Sequence, residues 1–113
     1  LTQMCRNVSF TGVHFHPDSQ HHVSSFADCI HVCGCKGTVT IKDCSFTQAH
    51  DDAINIHGAF LRFVRRVDDH TAVFQLVHRQ QGGYRAFFPG DTVRFYYRSS
   101  LQPCGEENTV AAA

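Results

Sequence analysis

Three carboxylates stand where the sequence could bring them together. Asp28 opens the string Asp28-Cys29-Ile30-His31-Val32-Cys33-Gly34, and Asp52 opens Asp52-Ala53-Ile54-Asn55-Ile56-His57-Gly58. Both read Asp, small, Ile, polar, aliphatic, any residue, Gly, at an offset of 24 residues. If the two copies stack as neighbouring strands in register, Asp28 and Asp52 lie one strand spacing apart, ~4.8 Å, with Asp51 beside them. Carboxylates this close resist ionising together, so one can hold a proton while others stay basic. Glycoside hydrolysis needs that division: a carboxylic acid protonates the leaving oxygen, and a carboxylate activates water or attacks. Successive residues of a regular strand point to opposite faces, so Asp51 and Asp52 share a site only if the chain bends before Ala53. Without the third carboxylate the pair reads as a solvated turn capping backbone amides.

The elements that would position these acids read as strands almost throughout. Thr38-Val39-Thr40-Ile41 and Val93-Arg94-Phe95-Tyr96 alternate with period two. Glu and Lys, the common surface residues of helices, number four together, and no stretch of a dozen residues keeps a helical apolar stripe. A second repeat sets Val8-x-Phe10-x-x-Val13-x-Phe15 against Val39-x-Ile41-x-x-Cys44-x-Phe46 at an offset of 31. The seven extra residues fit a loop at Pro17-Asp18-Ser19-Gln20-His21-His22. Short β units repeating every twenty-odd residues predict a β-solenoid, here a parallel β-helix.

Beyond Gly58 the pattern changes. Residues 1–58 carry five Asp against three Lys and Arg, whereas 59–103 carry seven Arg against three Asp. Phe60 to Val67 and Thr71 to Val77 read as strands around an Asp68-Asp69-His70 turn. Gln81-Gly82-Gly83-Tyr84 and Phe88-Pro89-Gly90-Asp91 mark further turns, and Thr92 to Tyr97 alternates. The expected organisation is all-β: parallel β-helix coils over 1–58, an antiparallel meander or small β-barrel-like insertion over 59–103, and a tail or truncated return to the helix over 104–113.

In register, His31 aligns with Asn55 and Cys33 with His57. Parity turns Ile54 and Ile56 inward and leaves Ala53, Asn55 and His57 beside the acids. Asn55 and His57 are candidate sugar-hydroxyl partners, since each can both donate and accept. His31 and His57 sit at offset 26, so the same reading has them share a face only if the register shifts. His50 precedes the acid pair and is a further substrate-side candidate, as is Arg79 on its loop between His78 and Gln80. The six Cys allow disulfides in an extracellular protein, but four occupy repeat positions where a thiol acts as a small buried hydrophobe. Cys29-x3-Cys33 has no clean second pair to complete a zinc site, so no metal and no cofactor is expected.

Equal numbers of acidic and basic residues, ten each, argue against nucleic acid as the main partner. No apolar run approaches the ~20 residues of a membrane span. The strings His50-Asp51-Asp52-Ala53-Ile54-Asn55-Ile56-His57-Gly58, Val67-Asp68-Asp69-His70-Thr71, His78-Arg79-Gln80 and Phe87-Phe88-Pro89-Gly90-Asp91-Thr92-Val93 resemble glycoside hydrolase family 110. The resemblance covers most of residues 26–103. It implies an inverting exo-α-1,3-galactosidase with a right-handed parallel β-helix and inserted β-barrel domains. It further implies a three-Asp centre, with Asp51 as general acid and Asp28 and Asp52 holding the attacking water. The substrate would be terminal α-linked galactose on glycans of the blood-group-B type, and this chain would be a fragment of a longer enzyme that is secreted, periplasmic or on the cell surface, its signal lying outside this chain. The enzymatic alternative is a polygalacturonase-like β-helix, whose Asn-Thr-Asp and Arg-x-Lys signatures are absent. The non-enzymatic one is a glycan-binding β-solenoid module.

Overall fold

The computed structural model describes residues 1–79 and 82–113. The Gln81 end of the expected Gln81–Tyr84 turn, and Gln80 beside Arg79, lie outside the described residues. The described chain is all-β. Its strands are β1 Thr2–Gln3, β2 Arg6–Thr11, β3 His14–Phe15, β4 Ile30–Cys33, β5 Lys36–Lys42, β6 Ser45–Phe46, β7 Ile54–His57, β8 Leu61–Arg66, β9 Ala72–Leu76, β10 Thr92–Tyr96 and β11 Pro103–Thr109. No helix among the described residues is long and apolar enough to cross a membrane. Two units divide the chain, Leu1–Gly82 and Gly83–Ala113.

In the first unit the strands up to His57 pair in parallel. β4 lies between β1 and β7, β5 pairs with β2, and β6 pairs with β3. The β4–β7 register is Ile30 with Ile54, His31 with Asn55, Val32 with Ile56 and Cys33 with His57, the alignment the 24-residue repeat predicts. Val8 pairs with Val39, and Phe15 with Phe46, at the predicted offset of 31. By the Ser25–Ala49 bridge the offset has fallen to 24, so the extra residues lie between Phe15 and Ser25, around the expected Pro17–His22 loop.

Corners between these strands use left-handed backbone. Gly34 turns at φ +61° directly after β4, and a Cβ there would come within 2.8 Å of Met4 Sδ. Met4, at the matching corner after β1, adopts φ 50°, and its N–H donates to Cys33 O at 3.0 Å. Like corners therefore stack as like strands do.

The core is small and sits on the central strand: Ile30, Val32 and Cys33 are the buried hydrophobic residues among those described. Ile54 and Ile56, expected to face inward, are 42% and 53% exposed. The reason is position. β4 has a parallel neighbour on each side, whereas β7 is an edge strand with one. All six cysteines are free thiols, so none of the disulfides the even count allowed is formed.

Antiparallel pairing takes over after Gly58. β8 and β9 form a hairpin around Asp68-Asp69-His70, with Phe63 opposite Phe74 and their rings edge-on. In the second unit β10 pairs antiparallel with β11, through a register shift between Val93 and Phe95. Arg94 Nη2 and Glu107 Oε1 form an ion pair at 2.9 Å across that pair. The Phe88-Pro89-Gly90-Asp91 turn is closed by Phe88 N–H donating to Asp91 Oδ2 at 2.8 Å. Residues 104–109, expected within a tail or truncated return to the helix, belong to the paired strand β11.

Candidate carboxylate centre

Asp28 stands two residues before β4, and Asp52 two residues before β7. The parallel register carries those equivalent positions side by side. Cys29 N–H donates to Asp52 O at 3.0 Å and Ile30 N–H to Ala53 O at 3.1 Å, stitching the two strand entries together. The backbone bends at His50, Asp51 and Ala53, which removes the alternation that would have separated Asp51 from Asp52. Each of Asp28, Asp51 and Asp52 offers a carboxylate oxygen within 4.8 Å of the others.

The three acids are not equivalent. Asp51 and Asp52 are exposed, whereas Asp28 retains 11% of its side-chain exposure. Asp28 Oδ2 accepts from Asn55 Nδ2 at 2.9 Å and lies 3.0 Å from His31 Nδ1. Asp51 Oδ1 accepts the N–H of Asp52 at 3.0 Å, and its second oxygen takes no part in that bond. One carboxylate oxygen of each acid is close enough to the others to serve one cation, although Asp28 Oδ2 already lies against two nitrogen partners. No Cys and His set converges among the described residues.

Of the other residues singled out from the sequence, Asn55 joins the trio through Asp28. His57 has both ring nitrogens engaged: Nδ1 donates to Gly58 O at 2.7 Å, and Nε2 is 2.7 Å from His31 Nε2. His50 is exposed and stacks on Phe26, ring centroids 5.0 Å apart. Arg79 is exposed after β9 and forms no ion pair with the three acids among the described residues.

His31 is the residue the sequence reading undervalued. Offset 26 does not require a register shift for His31 and His57 to meet. His31 stands opposite Asn55, and His57 lies two residues beyond Asn55, so all three share a face and the two rings meet on the diagonal. Their centroids are 4.9 Å apart. The signal was in the sequence: 26 is the repeat offset plus one full strand period.

Comparison with known proteins finds relatives over nearly the whole chain. The GLAA-B beta-barrel domain II family matches residues 71–113. The chain is 34% identical over 115 residues to alpha-1,3-galactosidase B of Bacteroides fragilis, which covers 99% of this chain and 19% of that protein. It is 34% identical over 113 residues to alpha-1,3-galactosidase A of Akkermansia muciniphila, covering 98% and 19%. Alpha-1,3-galactosidase A of Bacteroides fragilis is 40% identical over 86 residues, covering 76% and 14%. The match to the first of these includes both the carboxylate centre and the barrel segment, since it spans nearly every residue. The chain is similar over nearly its whole length to proteins named alpha-1,3-galactosidase, in line with the resemblance to glycoside hydrolase family 110, and it spans about a fifth of the length of the relatives it matches.

Proposed function

We propose that this chain carries the acid–base centre of an exo-acting α-1,3-galactosidase that inverts anomeric configuration, built on coils of a right-handed parallel β-helix over residues 1–58. The observation that carries the reading is the convergence of three carboxylates at one corner of stacked parallel strands. Asp51 protonates the departing glycosidic oxygen, and Asp28 and Asp52 hold and deprotonate the attacking water. The oxygen of Asp51 not taken by the Asp52 amide is the one available to carry the proton. Asn55, His50 and Arg79 are the side chains offered to sugar hydroxyls. The substrate class is a terminal α-galactosyl glycan, met outside the cytoplasm by the secreted or surface-exposed parent protein.

The coil reading rests on strands that return in parallel at offsets of 24 and 31. Ile54 and Ile56, half-exposed on the edge strand, offer the apolar surface a further coil would cover.

One observation favours a second reading. Oxygens within 4.8 Å of one another are closer to the ~5–5.5 Å of a retaining pair than to the ~6.5–9.5 Å of an inverting one. Under retention, one of Asp28 and Asp52 attacks the sugar directly. Proton NMR of the intact parent protein acting on an α-1,3-galactoside, recorded before mutarotation, separates the two. β-Galactose appearing first supports inversion. α-Galactose appearing first assigns a carboxylate nucleophile and overturns the water-holding roles.

A further inference from the structure

Phe26 is 81% exposed, and a single exposed phenylalanine means little by itself. Its place in the repeat means more. The Ser25–Ala49 bridge, with His50 N–H donating to Ser25 O at 3.1 Å, sets Phe26 beside His50 at the offset of 24 that also joins Asp28 to Asp52. The chain bends at 26 and 27 as it bends at 50 and 51. Phe26 therefore matches His50, Ala27 matches Asp51, and Asp28 matches Asp52. The Phe26 and His50 rings stack, with centroids 5.0 Å apart and planes inclined by 29°. This aromatic rung directly adjoins the acids. Consecutive Cα atoms, as at His50 and Asp51, lie ~3.8 Å apart, and those of Phe26 and Asp28 no more than about 7 Å. Between Phe26 and Asp28 the first copy places only Ala27, with a methyl side chain. One hexopyranose is wide enough to rest on the Phe26 ring and present its anomeric carbon to the carboxylates.

Galactose has a face suited to such a ring. Its axial O4 lies on one side, which gathers the hydrogens on C3, C4 and C5 on the other. The neighbouring oxygens polarise these hydrogens positively, and the face of an aromatic ring is negative. In an α-galactoside the axial glycosidic oxygen projects from that same C–H side. A ring against it stands on the side where the leaving oxygen is protonated, and His50, which backs the ring, directly precedes Asp51. The placement suits inversion and retention alike, because both protonate the leaving oxygen. We propose that Phe26 is the platform for the C3–C5 face of the terminal galactose at the carboxylate centre. The inference rests on the proposed glycosidase reading and deepens it, because it assigns the apolar side of the sugar to a residue, where Asn55, His50 and Arg79 are offered to its hydroxyls. His50 steadies the plane of the Phe26 ring through their stack and keeps its own ring edge for a hydroxyl.

The test uses the intact parent protein, with an α-1,3-galactoside as substrate and methyl α-galactoside as bound probe. In kinetics, Phe26→Leu should raise KM by about tenfold, the worth of one aromatic contact of this kind, and change kcat by no more than about twofold. Phe26→Trp keeps an aromatic face and should hold KM within about threefold of the parent. Saturation-transfer NMR from aromatic protons to methyl α-galactoside, on an Asp51→Asn parent that binds without cleaving, should mark the hydrogens on C3, C4 and C5 more strongly than those on C1 and C2. Adding Phe26→Leu should level that pattern. A lowered unfolding temperature with unchanged KM in Phe26→Leu, equal rises in KM for the Leu and Trp variants, or a saturation pattern that Phe26→Leu leaves intact would overturn the proposal. If the parent cleaves no α-galactoside, the glycosidase reading fails, and the saturation pattern still decides whether Phe26 holds galactose.

Discussion

The amide of Cys29 donates to the carbonyl of Asp52 at 3.0 Å, so the two copies of the repeat are joined one residue after the first acid and at the second. This bond, and the Ile30–Ala53 bond that follows it, place two carboxylates on neighbouring strand entries. The acids converge because backbone pairing carries them there. Their mutual repulsion is opposed by the ladder on one side and by His31 and Asn55 on the other.

Replacing Asp51 by Asn should remove the proton donor without removing the water. In the intact parent, hydrolysis of an unactivated α-galactoside should fall by more than about a hundredfold. An aryl galactoside whose leaving group departs without protonation should lose far less. Equal losses on the two substrates in steady-state assays would move the acid role away from Asp51.

Asp28→Asn and Asp52→Asn should each impair both substrates, since water activation is needed whatever the leaving group. Because Asp28 already accepts a hydrogen bond from Asn55, whereas no donor to the Asp52 carboxylate is found among the described residues, the loss of kcat should be larger at Asp52, by about tenfold or more. Comparing kcat for the two variants on the aryl substrate measures this directly.

Gly34 and Gly58 end the two repeat copies but differ in backbone. Gly34 is at φ +61°, and a methyl group added to it would stand 2.8 Å from Met4 Sδ, whereas one added to Gly58 would meet nothing within 4 Å. Gly34→Ala should destabilise the parent by about 1–2 kcal/mol, and Gly58→Ala by no more than about 0.5 kcal/mol. Thermal unfolding of the two variants side by side checks the difference.

Asp68 accepts the N–H of His70 at 2.8 Å in the β8–β9 turn. That bond, with Thr71 and the nearby Arg66 charge, holds the carboxyl below its ordinary value of 3.8. A carboxyl with a lowered value in the folded state binds fewer protons there than in the unfolded chain. Its contribution to the hairpin is therefore complete above 3.8 and is lost as the pH falls through the lowered value. Amide protection at His70 followed by hydrogen exchange should stay level down to pH 3.8 and then weaken, and Asp68→Asn should remove that weakening.

Residues 1–113 alone should unfold gradually and at low temperature. Three buried hydrophobic side chains among the described residues make a small core, and stacked repeats need roughly three or more units to become stable. A sharp, reversible calorimetric transition of this piece would contradict the coil reading.

How much of this was legible beforehand differs from residue to residue. Period-two alternation and the scarcity of Glu and Lys were enough for an all-β chain. The matched strings at Asp28 and Asp52 determined the β4–β7 register, because pairing by one residue more or less would have turned Ile30 and Val32 out of the core. The second repeat located the extra loop in the same way. Three things were decided only by the tertiary structure. The bend at His50 to Ala53 sets where two adjacent carboxylates point, and alternation along a strand forbids that convergence until the backbone leaves the strand. The exposure of Ile54 and Ile56 depends on which strand is last in the sheet, a property of neighbours that no local pattern encodes. The contacts from Asp28 through His31 and His57 to Gly58 need side chains reaching diagonally between strands, from residues up to 27 apart in the chain, as in the Asn55–Asp28 bond. Sequence supplies the donors and acceptors; only their packing determines which of them meet.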